Sequence, residues 1–595
     1  MRSLFAGMPG LGTPNPYGLV AMSVLVGMLL TVTIGAAQES RAAVRVSASS
    51  FDVTREVYPQ FFPTYDDTTG ISGLVRSVAV KLIDPALNLR SPLFLDAGKA
   101  LVVYTLRDDL TWRDGTSITA YDALLGYEIA LRITSGRPID IATTLVGWGR
   151  RTWAVTVTGE YELTVVMSDA TCGAAEEFAN FAVLPAHAID SAFVITARRA
   201  FDNASSDDPV ALYRLYEQWV NERDPDLVRA SSARDPELLS LSPRVEPVFD
   251  SAIDETRLLF GDVPVSVQTP FDETNAFLSG DLDAIVNPPY ARRADLRAIP
   301  GVQISETVGR TWYSLAYNFA DPAQPQPAFD PDSGDALDQG VHPIFGNPGV
   351  RDALALALDI DVLGEAATSG HFTPMSDPVV PWLPSAQTTA VESNAFAAGE
   401  QLEALGWGDW NRDGIRECHG CGTTDDGRPL AFGIEYDSND GVQEIMVRLM
   451  VAQFRQIGAE VYASGADMNT LVFRLRSQEF DAFILASYQR DPVALDRAPL
   501  FRRAADIIDE NQLEISNVMS YYNADVEAAF DRAAVCDPDT RFPALNDAYD
   551  LILREQAIVP LFAVNDFYAV QGAVIGFAPR GRDPFWNIET WRLDR

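Results

Sequence analysis

Four stretches of this chain, in fixed order between Leu106 and Leu561, carry helix and strand signals at close quarters, and their alternation limits the fold more than any bulk property. The first, Leu106–Asp122, follows the β-rich run Leu101–Leu106. It holds the turn Trp112-Arg113-Asp114-Gly115, where Asp-Gly supplies the backbone freedom of a tight reversal. Thr119 and Asp122 then stand at capping-box spacing, ahead of a helix with Tyr121, Leu124, Leu125 and Ile129 on one face. The second, Asn347–Asp359, opens on an N-cap Asn and a first-turn Pro348, and Val350, Leu354, Ala357 and Leu358 follow at helical spacing. The third is Leu402–Glu417. The fourth, Tyr522–Leu561, is a helix ending near Gln556 that runs into the apolar Val559–Phe562.

Between these stretches the same alternation continues. Strands are expected at Trp153–Val157, Glu162–Met167 and Trp312–Phe319. Val442, Ile445, Met446 and Leu449 mark a helix that Gly458 can end. A strand at Glu460–Ala463, a helix near Asn469–Ser477 and a strand at Ala482–Ala486 follow. Helices interleaved with strands indicate α/β layering. The polar segment from Asp202 to about Pro243 reads as a loop-rich insertion.

At 595 residues the chain is too long for one core, so two or three domains are expected. The net charge is −38, and Lys81 and Lys99 are the only lysines. Such a field repels phosphate backbones and argues against nucleic acid as a partner. It is either a solubility feature or a field that draws cationic solutes. No HExxH, GxSxG or GxxxxGK[ST] pattern is present and there are four histidines, so no catalytic set is expected. Residues Tyr17–Ala37 are uncharged and apolar, follow Arg2, and end on small residues before polar Gln38. They read as a signal peptide, or as an uncleaved membrane anchor, within residues 1–43.

In their order and spacing, the four stretches together resemble the large extracytoplasmic solute-binding proteins of bacterial ABC importers, family 5, the dipeptide/oligopeptide-binding type. The resemblance covers roughly residues 100–590. It implies an α/β, two-lobed fold of the periplasmic-binding-protein type II kind with an accessory domain. On that pattern 44–100, 190–310 and 560–595 form a discontinuous main lobe, 101–189 the accessory domain and 311–559 the second lobe. It also implies a monomer outside the cytoplasm that closes on a small solute, by family default a peptide, and hands it to ABC permease subunits. The alternative is a membrane-tethered solute sensor or scaffold reusing the fold. Neither reading is an enzyme, and no cofactor is required.

The resemblance singles out Tyr488-Gln489-Arg490-Asp491-Pro492. In peptide-binding relatives an Asp ahead of the Asp-Pro pair holds the ligand's ammonium group; here Tyr488 stands in its place. Tyr488, Gln489 and Asp491 are therefore the expected ligand contacts, with Trp312 and Tyr313 as aromatic candidates that serve equally well as core. Asn318 ends the strand that in the family forms the hinge. His187, in Leu-Pro-Ala-His, is a ligand or a loop histidine with a hydrogen-bond partner.

Asp409, Asn411, Asp413, Ile415 through its carbonyl, and Glu417 place oxygens at alternate positions around Gly414. That spacing suits a structural Ca²⁺, which takes six or more oxygens, and equally a hydrogen-bonded turn. Cys418 and Cys421 have zinc-like spacing without a second ligand pair, so a small disulfide loop is the expected reading. Cys172 and Cys536 are then left as a long-range pair.

Overall fold

The computed structural model describes residues 43–51, 56–61, 73–82, 100–135, 152–167, 181–222, 236–250, 255–326, 328, 330, 335, 337–376, 392–488, 498–502, 517–535, 537–579 and 584–594. The apolar run Tyr17–Ala37 and the cysteines Cys172 and Cys536 lie outside them.

The described strands are dominated by one sheet of eleven. Along its path run Glu460–Ala466, Ala431–Asp437, Ala482–Tyr488, Gln303–Tyr317, Ile558–Val570, Ala284–Val286, Val44–Ser47, Val263–Gln268, Glu255–Phe260 and Val245–Asp250, with Phe372–Pro374 added beside Ile558–Val570. Two of these strands are unusually long, fifteen residues for Gln303–Tyr317 and thirteen for Ile558–Val570. At about 3.3 Å per residue they reach roughly 40–50 Å, more than one lobe needs. They are antiparallel and each serves two cores. Gln303–Val308 pairs with Asn565–Val570, beside a small core of Phe277, Leu282, Leu296 and Phe567. Trp312–Ala316 pairs with Ile558–Ala563, beside a second core built on Leu315, Leu354, Trp407, Met446 and Phe562. These are the two crossing strands of a two-lobed protein.

The second lobe forms as its local signals dictate. Asn347 accepts from the Gly349 amide at 2.9 Å, and Pro348 fills the first turn of helix Pro348–Leu356. Helix Gly441–Gln456 buries Val442 and Met446 and leaves Ile445 outside; Gly458, at φ +82°, then turns the chain into strand Glu460–Ala466. Asn318 is fully buried. Its amide donates to the carbonyls of Gln478 and Phe480, and its oxygen accepts from Ala320, which fixes the end of the crossing strand.

A separate four-stranded antiparallel sheet runs in the order Val75–Leu82, Ala100–Leu106, Glu162–Met167, Thr152–Gly159 and packs against helix Ala120–Ser135. Its first strand precedes the boundary expected at 101, because Val75–Leu82 is the antiparallel partner of Ala100–Leu106. The Asp122 carboxylate accepts from the Thr119 amide at 2.7 Å, as a capping box requires, but the Thr119 hydroxyl turns to the same oxygen instead of capping an amide. The other Asp122 oxygen accepts from the Ala186 amide at 2.9 Å and so pins the following segment to the helix start. Burial pushes this carboxyl above its usual range, against the pull of those hydrogen bonds. His187 lies not in a loop but in the one-turn helix Ala186–Ile189, and its Nε2 is 2.9 Å from the Asp114 carboxylate.

The segment 202–243 differs from the loop-rich expectation. It contains helix Pro209–Glu222, which buries Leu212, Tyr213, Tyr216 and Trp219 against the strand Thr152–Gly159. Acidic and basic flanks concealed an apolar stripe at i, i+4 and i+7 (Leu212, Tyr216, Trp219).

Candidate functional site

The crossing strands lose register between Val308 and Trp312, where Gly309, Arg310 and Thr311 fall outside their mutual ladder. A break of this kind bends a strand and re-aims its side chains. Gly309 permits it: a Cβ there would meet the Val564 carbonyl oxygen well inside van der Waals contact and lie 3.1 Å from the Asp566 amide. A cavity of about 440 Å³ opens beside the break, within the range of small-molecule sites.

Arg310 and Thr311 line the cavity from one crossing strand, and Val564, Asn565, Asp566 and Tyr568 from the other. The first lobe adds Ser50, buried Glu56 and the turn Val286–Tyr290. That turn is held firmly. Asn287, at φ +49°, donates to Asp566 Oδ1 at 2.8 Å and accepts from the Phe567 amide at 2.7 Å. Arg293 is buried behind it, donating to the carbonyls of Pro288 and Asn565 and stacking on the rings of Tyr290 and Phe567. Burial lowers the Arg293 guanidinium from its ordinary value, yet that value is so far above neutral that the charge remains. Tyr290 reaches from the first lobe onto the core of the second. Arg310 and Asp566 thus set a cation and an anion on neighbouring strands at one wall.

Of the expected ligand contacts, Tyr488 lies in register with Thr311, so the backbone of its strand ends at the cavity rim. Gln489 and Asp491 lie outside the described residues. Trp312 and Tyr313 are in the core instead of on the cavity wall. Trp312 packs with Met375 and Ala563, and Tyr313 donates to Asp440 Oδ2 at 2.9 Å with its ring against Phe562. They start the tightly paired half of the strand, where both faces are covered. Arg310, Asp566, Asn287 and Tyr290 were not anticipated. The one local signal for Arg310 is its place just before the expected strand.

At the acidic loop, oxygens of Asp409, Asp413 and Glu417 come within 4.8 Å of one another, Glu417 being buried. The loop also satisfies itself. Asp409 accepts from Gly414, Asp413 from Ile415 and Glu417 from Trp410, while Asn411 is engaged with Asp413. Ile415, expected to offer its backbone carbonyl, has a buried side chain. Cys418 and Cys421 form a disulfide directly after it, as expected, and the ring of His419 packs edge-on against Trp410.

Residues 265–505 match the family model described as bacterial extracellular solute-binding proteins, family 5 middle region. The oligopeptide-binding protein AppA of Bacillus subtilis (strain 168) is 23% identical over 258 residues, which is 42% of this chain and 45% of that protein; the matched stretch therefore spans less than half of that relative. Two solved structures share the fold. The AppA protein of Clostridium difficile has a TM-score of 0.59 at 12% identity, covering 93% of this chain and 100% of that one. NikZ of Campylobacter jejuni, solved with Ni(L-His), has a TM-score of 0.52 at 14% identity, covering 93% and 99%.

Proposed function

For a chain that belongs, through residues 265–505, to the bacterial extracellular solute-binding proteins of family 5, we propose the role of an extracytoplasmic receptor that closes on a small solute and delivers it to an ABC importer. The observation that carries this reading is the cavity at the break in the crossing strands, since a solute seated there touches the segments that must bend when the lobes close. Binding that differs between open and closed forms shifts their populations, and a permease can read the closed one. Arg310 and Asp566 complement a zwitterion. A peptide is the first candidate, because AppA is named for oligopeptides, and a metal–amino acid chelate is the second, because NikZ was solved with Ni(L-His). Tyr488, Gln489 and Asp491 are proposed to complete the contacts from the second lobe.

The test is a thermal-shift screen of the purified protein against peptide, sugar, polyamine and metal-chelate pools. A bound solute at a hundredfold excess over Kd stabilises the native state by about 2.7 kcal/mol. The shift should come from the peptide or chelate pool and vanish in Arg310→Ala/Asp566→Ala. A shift that survives this double variant places the solute elsewhere. No shift from any pool counts for the tethered sensor or scaffold. Among the described residues no helix is long and apolar enough to cross a membrane, so a tether would rest on Tyr17–Ala37.

A structural Ca²⁺ at Asp409, Asp413 and Glu417 is a separate proposal, supported by the convergence of three carboxylates at one point. Saturating Ca²⁺ should then raise the melting temperature of EDTA-treated protein, and Asp409→Asn/Asp413→Asn should abolish the rise. Equal melting curves in Ca²⁺ and EDTA would leave the loop as a self-bonded turn.

A further inference from the structure

Just before their ladder breaks, the crossing strands are joined by a charged cluster that solute contact does not require. Glu306, on the first-lobe half of Gln303–Tyr317, uses both carboxylate oxygens. Oε1 lies 3.0 Å from His371 Nδ1 and accepts from Asn565 Nδ2 at 3.1 Å, while Oε2 pairs with Arg297. Arg297 belongs to the first lobe, on the helix Arg293–Arg297 whose Leu296 sits in that lobe's core. His371 comes from the other side, following helix Ile360–Thr368 of the second-lobe core and leading into the strand Phe372–Pro374. The contact between Glu306 and His371 therefore spans the two lobes.

Asn565 ties the cluster to the cavity wall. Its amide nitrogen donates to the His371 carbonyl at 3.0 Å, its side-chain oxygen accepts from Thr373 at 2.7 Å, and its carbonyl accepts from Arg293. The histidine tautomer is fixed by chemistry: a carboxylate only accepts, so Nδ1 carries the hydrogen and Nε2 gains or loses the proton. The other charged groups around His371 are Arg293 and Arg297, both over the Phe567 ring that His371 meets edge-on. Asp566 is next to Asn565, and Glu365 has its carboxylate beside Gly370.

We propose that His371 and Glu306 act as a proton-operated clamp across the hinge, in which a proton on His371 turns a hydrogen bond into an ion pair and holds the lobes at the angle seen here. The inference rests on the two-lobed closure reading above. The direction follows from the charges. Glu306 is held below the usual carboxylate range: burial raises it, but the hydrogen bonds from His371 and Asn565 and the nearby charges outweigh that, so it stays ionised as pH falls. Imidazolium is then attracted to an existing anion in a part-buried site, where the pair is stronger than at the surface. Acidification stiffens the hinge.

Dyes on Asp281→Cys in the first lobe and Arg448→Cys in the second, read by single-molecule energy transfer in ligand-free full-length protein, test the clamp. The expected result is two populations whose ratio shifts at least about 5-fold toward the present angle between pH 7.5 and 5.5. The shift should disappear in His371→Gln and in Glu306→Gln, and grow in Arg297→Gln, which removes the competing cation and keeps the test open should either of the first two fail to fold. Two populations with a pH-independent ratio, or a shift that survives the first two variants, overturns the clamp and leaves lobe closure standing. A single population at every pH in the ligand-free protein overturns the clamp, and closure on a solute is then decided by the thermal-shift screen above.

Discussion

Gly309→Val is expected to destabilise the protein by about 3 kcal/mol, the upper end for forcing side-chain volume into filled space. The reason is local. Gly309 is buried at the register break, and the space a Cβ would take is occupied by the Val564 carbonyl oxygen and the Asp566 amide and carboxylate carbon. Backbone on the opposite strand cannot rotate away as a flexible side chain can, so either the break opens or the strands separate. Gly309→Ala places the same Cβ and should already show most of the loss. Equilibrium urea unfolding followed by tryptophan fluorescence is a suitable readout, with Trp312 three residues away. An alanine variant with an unchanged midpoint would mean that the strands do not approach as closely as described.

Arg351→Met should cost about 3–5 kcal/mol, as breaking a buried charged network does. Arg351 is buried in the second lobe, with its guanidinium fork spent on carbonyls. Nη1 donates to Phe345 at 2.6 Å, Nε to Glu555 at 3.0 Å and Gln556 at 3.2 Å, and Nη2 to Glu555 again. Two of those carbonyls follow helix Pro538–Arg554, where the partial negative charge of a helix end collects. The face of the guanidinium lies 4.7 Å from the centre of the Phe319 ring. Methionine fills similar volume but leaves three acceptors dry. Arg351→Lys, with a point charge and no fork, should recover less than half of the loss. Thermal or urea unfolding decides the matter, and a methionine variant within about 0.5 kcal/mol of the parent would show that water replaces the fork.

Arg351 also marks where sequence reading stopped short. In Asn347–Asp359 the N-cap, the proline and the apolar spacing are local signals, and the helix formed where they pointed. That Arg351 faces inward to serve a helix end some two hundred residues later is a tertiary fact. The α/β alternation was legible because each element carried its own start, stop and period. Helix Pro209–Glu222 was missed because charged neighbours masked its stripe. The cavity was least legible. A ladder break is a relation between two strands, and neither Gly309-Arg310-Thr311 nor Val564-Asn565-Asp566 announces it alone. Trp312 and Tyr313 drew attention as flat aromatics, yet the strand covers both their faces, while the less conspicuous Arg310 and Asp566 took the wall.

The strand Ile558–Val570 lies between Gln303–Tyr317 and Ala284–Val286, and it is the last strand of the central sheet to be made. Until it arrives, both lobes lack an interior strand, and two open edges stand ready to pair with the wrong partner. Its partners on either side were synthesised hundreds of residues earlier, and such distant pairings form slowly. At about 5–20 residues per second, roughly half a minute to two minutes pass before residue 570 leaves the ribosome. For all that time the chain cannot finish either lobe. The order of its strands leaves the central sheet open for as long as the chain is being made.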